Sequence, residues 1–521
     1  MKLIFIEFMK GMLNFMKKIF KLNIDLNKVY SVMFFSIMSW IIALCILNSR
    51  YKFNPIILVV LIIITLILLC LIFRKVQTKF KKLSNKATWI FYAIITFVMV
   101  IIQLVVGYLV RTNPSWDLGL VIQSAQEILE HGHATEMSVY YIQAPNNIFI
   151  TLIISFVLKL FQFFNVTDVN IATLIVNILF IQLAILFLFK ISKRIFNNVT
   201  ACFTLVLMFL FLPIYPYSTI MYTDTTSMFL PIAFLYAMIK IYDLKDKNKK
   251  YIYAVIMGIL AFLSLNLKVT ALIVVIAFVI NELVSKRFKQ LFKISGIALL
   301  TFLVLQLSYT TFLKKTEIMG IPYEDTKQIP FTHFIMMGMT GTGAFSADEW
   351  QFTLNLPDYD TRKKENIRVI KERLDEYGVQ GYIKFLNNKI TGQTWGTGTY
   401  DFETILNSYQ VDNNIAHEFL LSTGKFYPIV FYYCQTYHFT MLIAIALSTL
   451  YTIKRGKDND ILNISKLSIL GLLIFLLIWE TRSRYMLNFI PVYILVFVSG
   501  INYFQKDIGK FFKKVFTKNS I

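Results

Sequence analysis

Residues 55–73 read PIILVVLIIITLILLCLIF, an uninterrupted apolar run that Arg74 and Lys75 follow at once. About 20 such residues in a helix cross the hydrocarbon core of a bilayer. Comparable runs lie at roughly 31–48, 87–110, 169–189, 199–217, 226–242, 251–267, 269–286, 293–313, 426–452, 461–479 and 485–503, so about twelve spans are expected. The whole composition agrees. Of 521 residues, 57% are hydrophobic and 16% charged, against about 45–50% and about 25% in soluble domains. Mean hydropathy is +0.62. The expected fold class is an all-α polytopic membrane bundle. Collagen-like, disordered and disulfide-stapled classes are excluded.

One further apolar stretch, 148–164 (IFITLIISFVLKLFQFF), decides the topology. Basic clusters occur at Arg74–Lys86, Lys190–Arg194, Lys245–Lys250, Lys286–Lys293, Lys454–Lys457 and Lys506–Lys518. Cationic loops stay on the cytoplasmic side. If 148–164 crossed, every later cluster would change sides. If it lies in the outer interface, or dips in and returns, all six are inside together with both termini. The second reading is adopted. The net charge of +22 is then a topology signal plus attraction to anionic lipid, with no nucleic-acid partner. Residues 1–30 form a basic segment, with an amphipathic surface helix and a frayed tail both open.

This topology divides the chain into an N-terminal transmembrane module (31–313) with an outer loop at 111–168, a mainly helical outer loop at 314–425, and a C-terminal module (426–521). Within the large loop, Ile367, Ile370, Leu374 and Tyr377 recur at helical spacing, Gly378 suits a helix end, and a second short helix is expected at Val379–Ile390. The four cysteines all fall in apolar runs and imply no disulfide framework.

Four groups on the outer face attract chemistry. Asp117, after Trp116, has the position of a general base for a hydroxyl, and equally of a helix N-cap. Asp224, in Tyr222-Thr223-Asp224, stands at the outer end of a span as an active carboxylate or a cap. Lys268 lies between two apolar runs, where it meets an anion such as a lipid phosphate or snorkels to a headgroup. Arg482 and Arg484 run against the positive-inside bias and carry the planar fork that phosphate prefers, although one of them could pair with Glu480. Tyr140-Tyr141-Ile142-Gln143-Ala144-Pro145-Asn146-Asn147 opens the interfacial segment, as a turn or an aromatic belt. Asp358-Tyr359-Asp360, Asp458-Asn459-Asp460 and the pair His131 and His133 with Glu136 read as ordinary loop. Neither a metal nor a cofactor is expected, and no nucleotide motif is present.

The ordered set Ser115-Trp116-Asp117, Tyr141 to Asn147, Tyr222-Thr223-Asp224, Leu267-Lys268-Val269-Thr270-Ala271 and Arg482-Ser483-Arg484-Tyr485 with Pro491 resembles the GT-C superfamily of membrane glycosyltransferases. The similarity is to bacterial members like the protein O-mannosyltransferases and the aminoarabinose transferases of lipid A. It extends over residues 87–503. It implies a polyprenyl-phosphate-linked sugar donor and an acceptor hydroxyl on a cell-envelope glycan, teichoic acid or protein. Asp117 and Asp224 map to the family's outer carboxylates, and Lys268 to the donor-phosphate ligand. Arg484 and Arg482 join that ligand set more loosely. Trp116, Tyr141, Asn146, Asn147 and Tyr222 line the substrate site. Two departures matter. Leu118 follows Asp117 where the O-mannosyltransferases have Glu, and Ala144-Pro145 replaces the two prolines of the aminoarabinose enzymes. One base and an anionic leaving group suit direct displacement with inversion. The alternative is a transporter or flippase, or a polymerase or ligase, of a lipid-linked envelope glycan. High Lys, Ile and Asn content points to a bacterium.

Overall fold

The computed structural model describes residues 26–49, 51–113, 116–135, 138–321, 328–407, 410–455 and 459–518. Most of the basic N-terminal segment, together with Ser115 and Glu136, lies outside them. Among the described residues the chain is helical, and its only strand-like pairing is a single bridge between Thr112 and Gln410. Among the described residues eleven helices are long and apolar enough to cross a membrane, or twelve if one bent pair is counted as a span.

Local chemistry explains where these helices start. Asn54 accepts from the amides of Ile56 and Ile57, and Pro55 occupies the first turn of Pro55–Lys79. Asp168 caps Val169–Ile195 and Asp246 caps Lys247–Leu267 in the same way. Lys193 and Arg194 close the last turn of Val169–Ile195, where cations meet the negative end of the helix dipole.

Burial ranks the spans. Leu291–Thr316 is 11% buried and Asn85–Leu109 17%, so both face lipid, whereas Thr223–Asp243 at 83% and Ser483–Gln505 at 78% occupy the centre. The helices Tyr427–Arg455 and Ile490–Lys518 pack on one another, Pro55–Lys79 packs against both, and Leu26–Leu47 packs against Tyr427–Arg455.

Two expected spans take another form. The run at 199–217 is broken: Asn198–Phe209 and Leu212–Thr219 meet at 69°. Pro213 sits in the break. The carbonyls freed at the break, Phe209 and Leu210, accept from the hydroxyls of Tyr215 and Tyr433, both at 2.7 Å, and at the far end of the second piece the Asn177 amide donates to Tyr217, Ser218 and Ile220 at 3.0, 2.8 and 3.1 Å. A broken helix inside a bilayer needs such partners. The run at 269–286 becomes a 3-10 turn, Val269–Leu272, and a short helix, Ile273–Val284.

The ambiguous stretch is a helix, Ile148–Phe163, which with the preceding turn makes a 19-residue apolar segment long enough to cross. It packs on Asp117–His131 and on Val169–Ile195. Contacts fix its net effect. Asn198 bonds Leu83 and Asn85, and the Lys193 ammonium stands 5.3 Å over the Trp89 ring, so Asn85–Leu109 begins where Val169–Ile195 ends. The connection from 110 to 168 therefore leaves and returns at one end of the bundle, whatever depth the helix reaches.

The same bookkeeping gathers all six basic clusters at one end. Arg194 pairs with Asp243 at 2.7 Å, Tyr242 bonds Glu282, and Arg287 bridges Glu282 and Asp460. Gln77 meets Asn502 and Gln505, and Lys454 lies over Tyr503.

At the other end the segment 328–407 folds over the spans. His333, Thr353, Asn366 and Thr332 form a buried hydrogen-bonded chain. The long helix Tyr359–Lys389 breaks at Gly378, whose φ of 55° and ψ of −178° require glycine. Asp358 caps this helix through Thr361, so the Asp-Tyr-Asp triplet is a helix start.

Candidate functional site

Five distant segments bring their side chains together at the end opposite the basic clusters. Asp224 lies in the first turn after Tyr222, and its carboxylate is 5% exposed. It does not act as the cap, because Tyr222 holds that position. One oxygen is bonded by the Lys268 ammonium, and the other faces Arg484 Nε at 3.7 Å. Lys268 therefore does not snorkel: it turns inward from the junction of two helices, 4.3 Å above the Tyr485 ring. The Arg484 guanidinium stands 4.5 Å from the Trp116 ring, 5.6 Å from Tyr485 and 5.8 Å from Tyr222. Trp116 and Tyr222 meet edge to face at 5.1 Å. The result is an aromatic cup with a guanidinium between its walls.

The interfacial turn braces this cup. Tyr222 donates to Asn147 at 3.0 Å, and Asn147 in turn bonds Tyr140. Tyr141 points away, to Thr151 at 2.7 Å, and belongs to the wall behind. Asn146 is exposed and reaches only Asn147, at 3.3 Å.

Asp117 stays outside the ion cluster. It is the first residue of Asp117–His131, it is exposed, and Trp116 takes the cap position. Its side chain makes no hydrogen bond or ion pair among the described residues. Its charge acts on the buried hydroxyls of Tyr140 and Tyr222, which places it at the rim of the cup. Arg482 likewise makes no side-chain bond or ion pair among the described residues. Glu480 bonds Tyr485 at 2.8 Å and has no bond to either arginine. Burial raises the Glu480 carboxyl above its ordinary value, with Arg482, Arg484 and Lys268 pulling it back.

Three contributors were not evident in the sequence. Lys389 is fully buried and donates to the carbonyls of Gly338, Leu477 and Trp479 at 2.7, 3.0 and 2.6 Å. Asp401 follows Tyr400, and both have left-handed backbones, at φ of 63° and 56°. Asp401 lies against Ser483 with Arg482 and Arg484 nearby, while burial raises its carboxyl. Next to it, burial and Asp401 push Glu403 up to about 7. The loop that carries these carboxyls is stapled into the bundle: Gln435 bonds Gly396 and Gly398, and His438 bonds Trp395 and Tyr400. The uncharged run Ile390–Tyr400 was the available signal, since a surface loop of that length rarely lacks charge.

Chemically, one buried carboxylate is shared by two cations, and Arg482 stands beside them among the carboxyls of Asp401 and Glu480, which burial makes harder to ionise. The site is walled by aromatic rings and largely closed to water. Such a site favours an anion with an apolar neighbour, and an exposed carboxylate waits at its edge. Among the described residues no group of His, Cys, Asp and Glu is arranged to hold a metal.

No curated protein and no solved structure matches the chain. Residues 15–503 match a family described as conserved hypothetical integral membrane protein, and the chain belongs to that family.

Proposed function

We propose that the protein is a membrane glycosyltransferase of GT-C type, which moves a sugar from a polyprenyl-phosphate donor to a hydroxyl of a cell-envelope acceptor. The observation that carries this reading is the Lys268–Asp224–Arg484 cluster beside the exposed Asp117. It lies at the bundle end away from the basic loops. With those loops in the cytoplasm, the site faces outward, both termini face inward, and the membrane is the plasma membrane of a bacterium.

In the proposed reaction Asp117 accepts the proton of the acceptor hydroxyl. The acceptor oxygen then attacks the anomeric carbon as the bond from that carbon to the phosphate oxygen breaks. The electron pair leaves with the polyprenyl phosphate. Lys268 and Arg484 stabilise the charge that grows there, which is the kind of term that a water-poor site enlarges. Asp224 holds the two cations apart and in place before the donor arrives. A single displacement inverts the anomeric centre. The donor is lipid-borne, so it needs no nucleotide-binding fold.

The test is donor turnover. Purified protein in liposomes is given radiolabelled polyprenyl-phosphate hexoses with a cell-wall extract. Label should pass to the acceptor, and Asp117→Asn should stop it while the variant remains folded. Full transfer by that variant at saturating donor would remove the base assignment. Label that changes leaflet without leaving the lipid would replace the enzyme by a transporter.

A further inference from the structure

The arm that carries Arg482 and Arg484 is held from outside the bundle. It leaves the helix Asp460–Ile478 at Trp479. There the Glu480 amide donates to Phe334 at 2.9 Å, the Thr481 amide donates to Gly343 at 2.8 Å, and the Trp479 ring stacks on Phe334 at 5.2 Å. Gly338 has no room for a side chain, because a Cβ would lie 2.6–2.8 Å from the Trp479–Glu480 backbone. Lys389 sits at the centre of this clamp. Its three carbonyl partners come from the outer segment (Gly338) and from the end of the span (Leu477 and Trp479). Those last two are carbonyls that a terminating helix leaves without partners. Gly343 packs on the lysine stem, where a Cβ would come within 2.5 Å.

A charged side chain is rarely buried this fully unless it is bonded throughout. Lys389 makes its hydrogen bonds only to backbone; burial lowers its ammonium to about 7 and Glu480 pulls it back, so the three carbonyls hold it in place. Its three bonds fix the direction in which the chain enters Glu480. Arg484 follows four residues later, with no other element of regular helix between.

We infer that Lys389 is a positioning residue for the anion site: by tying the outer segment to the end of Asp460–Ile478, it sets the Arg482–Arg484 arm and thereby the affinity for a lipid-borne phosphate. The inference rests on the phosphate reading above. It makes the outer segment a working part of the site, so its removal disarms the arginines.

The test is binding of a short isoprenyl monophosphate in detergent, without acceptor. Wild type is compared with Lys389→Met, Arg484→Gln, Asp117→Asn and the double variants. Lys389→Met should weaken binding about tenfold. Added to Arg484→Gln it should cost little more, because both remove the same contact, whereas with Asp117→Asn the effects should add. Lys389→Gln, which keeps two N–H donors, should fall between and serves if the Met variant does not fold. Wild-type affinity in Lys389→Met, or additivity with Arg484→Gln, would overturn the inference. If wild type binds no phosphate probe, the donor reading fails by itself. Positioning is then judged by hydrogen exchange at the Glu480 and Thr481 amides, and unchanged protection in Lys389→Met would overturn it too.

Discussion

The two ends of the bundle use charge in opposite ways. At the basic end charges are many and most of the clusters are wet, although Glu282 beside Arg287 is buried. Arg194 and Asp243 pair at 2.7 Å with side chains 60% and 33% exposed. In the cluster at the other end, beneath the exposed charges of the Tyr359–Lys389 helix, the charges are dry: Asp224, Lys268 and Arg484 meet with side chains 5%, 13% and 12% exposed. Exposed pairs contribute at most about 1 kcal/mol, because water and salt screen them. A buried group that loses its partner is several times more costly. In the proposed topology, number orients the chain in its membrane and burial sets the proposed site apart.

Four substitutions and one titration sharpen this contrast. The largest effect is expected from Asp224→Asn, which leaves Lys268 and Arg484 side by side without their carboxylate. A loss of ~3–5 kcal/mol is expected, read as a large fall in melting temperature in detergent, together with loss of transfer. Asp117→Asn should separate the two readouts. Transfer should drop ~10²–10⁴-fold, as for loss of a general base, while thermal stability stays at wild type because the side chain is exposed and unbonded.

Asn177→Ala comes next. It strands the Ser218 carbonyl, while Tyr217 and Ile220 keep the amides of Ile220 and Tyr222, a cost of about 1–3 kcal/mol, and should loosen the Tyr222–Asp224 turn. Protease or hydrogen-exchange protection of residues 217–224 would show it.

The titration concerns Glu403. Its folded value of about 7 lies above its ordinary 4.5. Its contribution to stability is therefore complete below about 4.5 and is lost as pH rises through 7. The wild-type melting temperature should decline across that window, and Glu403→Gln, which cannot ionise, should flatten the decline. The smallest effect is expected from Arg194→Ala, at or below about 1 kcal/mol after solvent screening. A loss as large as that of Asp224→Asn would break the contrast between the two ends.

The architecture was legible wherever a run of apolar residues met a charge, because a bilayer imposes its thickness on sequence directly. The stretch 148–164 was legible only through the charges around it. Contacts such as Asn198 with Asn85 now carry the same argument in space. Individual outer residues were also legible, since a lone Asp or Lys beside apolar runs is conspicuous.

Their pairing was not. Asp224 and Lys268 are far apart in the chain, and nothing local says that the lysine's first partner is a carboxylate. Lys389 was hidden for a different reason. In sequence it looks like one more surface cation on a charged helix, and its acceptors are backbone carbonyls, which leave no trace in side-chain patterns. Asp401 was hidden because its place depends on two left-handed residues deep in a loop.

The order in which the site's parts leave the ribosome has its own consequence. Asp224 and Lys268 stand at the same end of one early helical hairpin and neutralise one another there. Arg484 belongs to the last span and follows by roughly 10–40 s at ~5–20 residues per second. Until then the nascent chain carries a matched ion pair. Completion of the chain adds the Arg482–Arg484 arm in a single step, so the three-membered cluster exists only once the last span is in place.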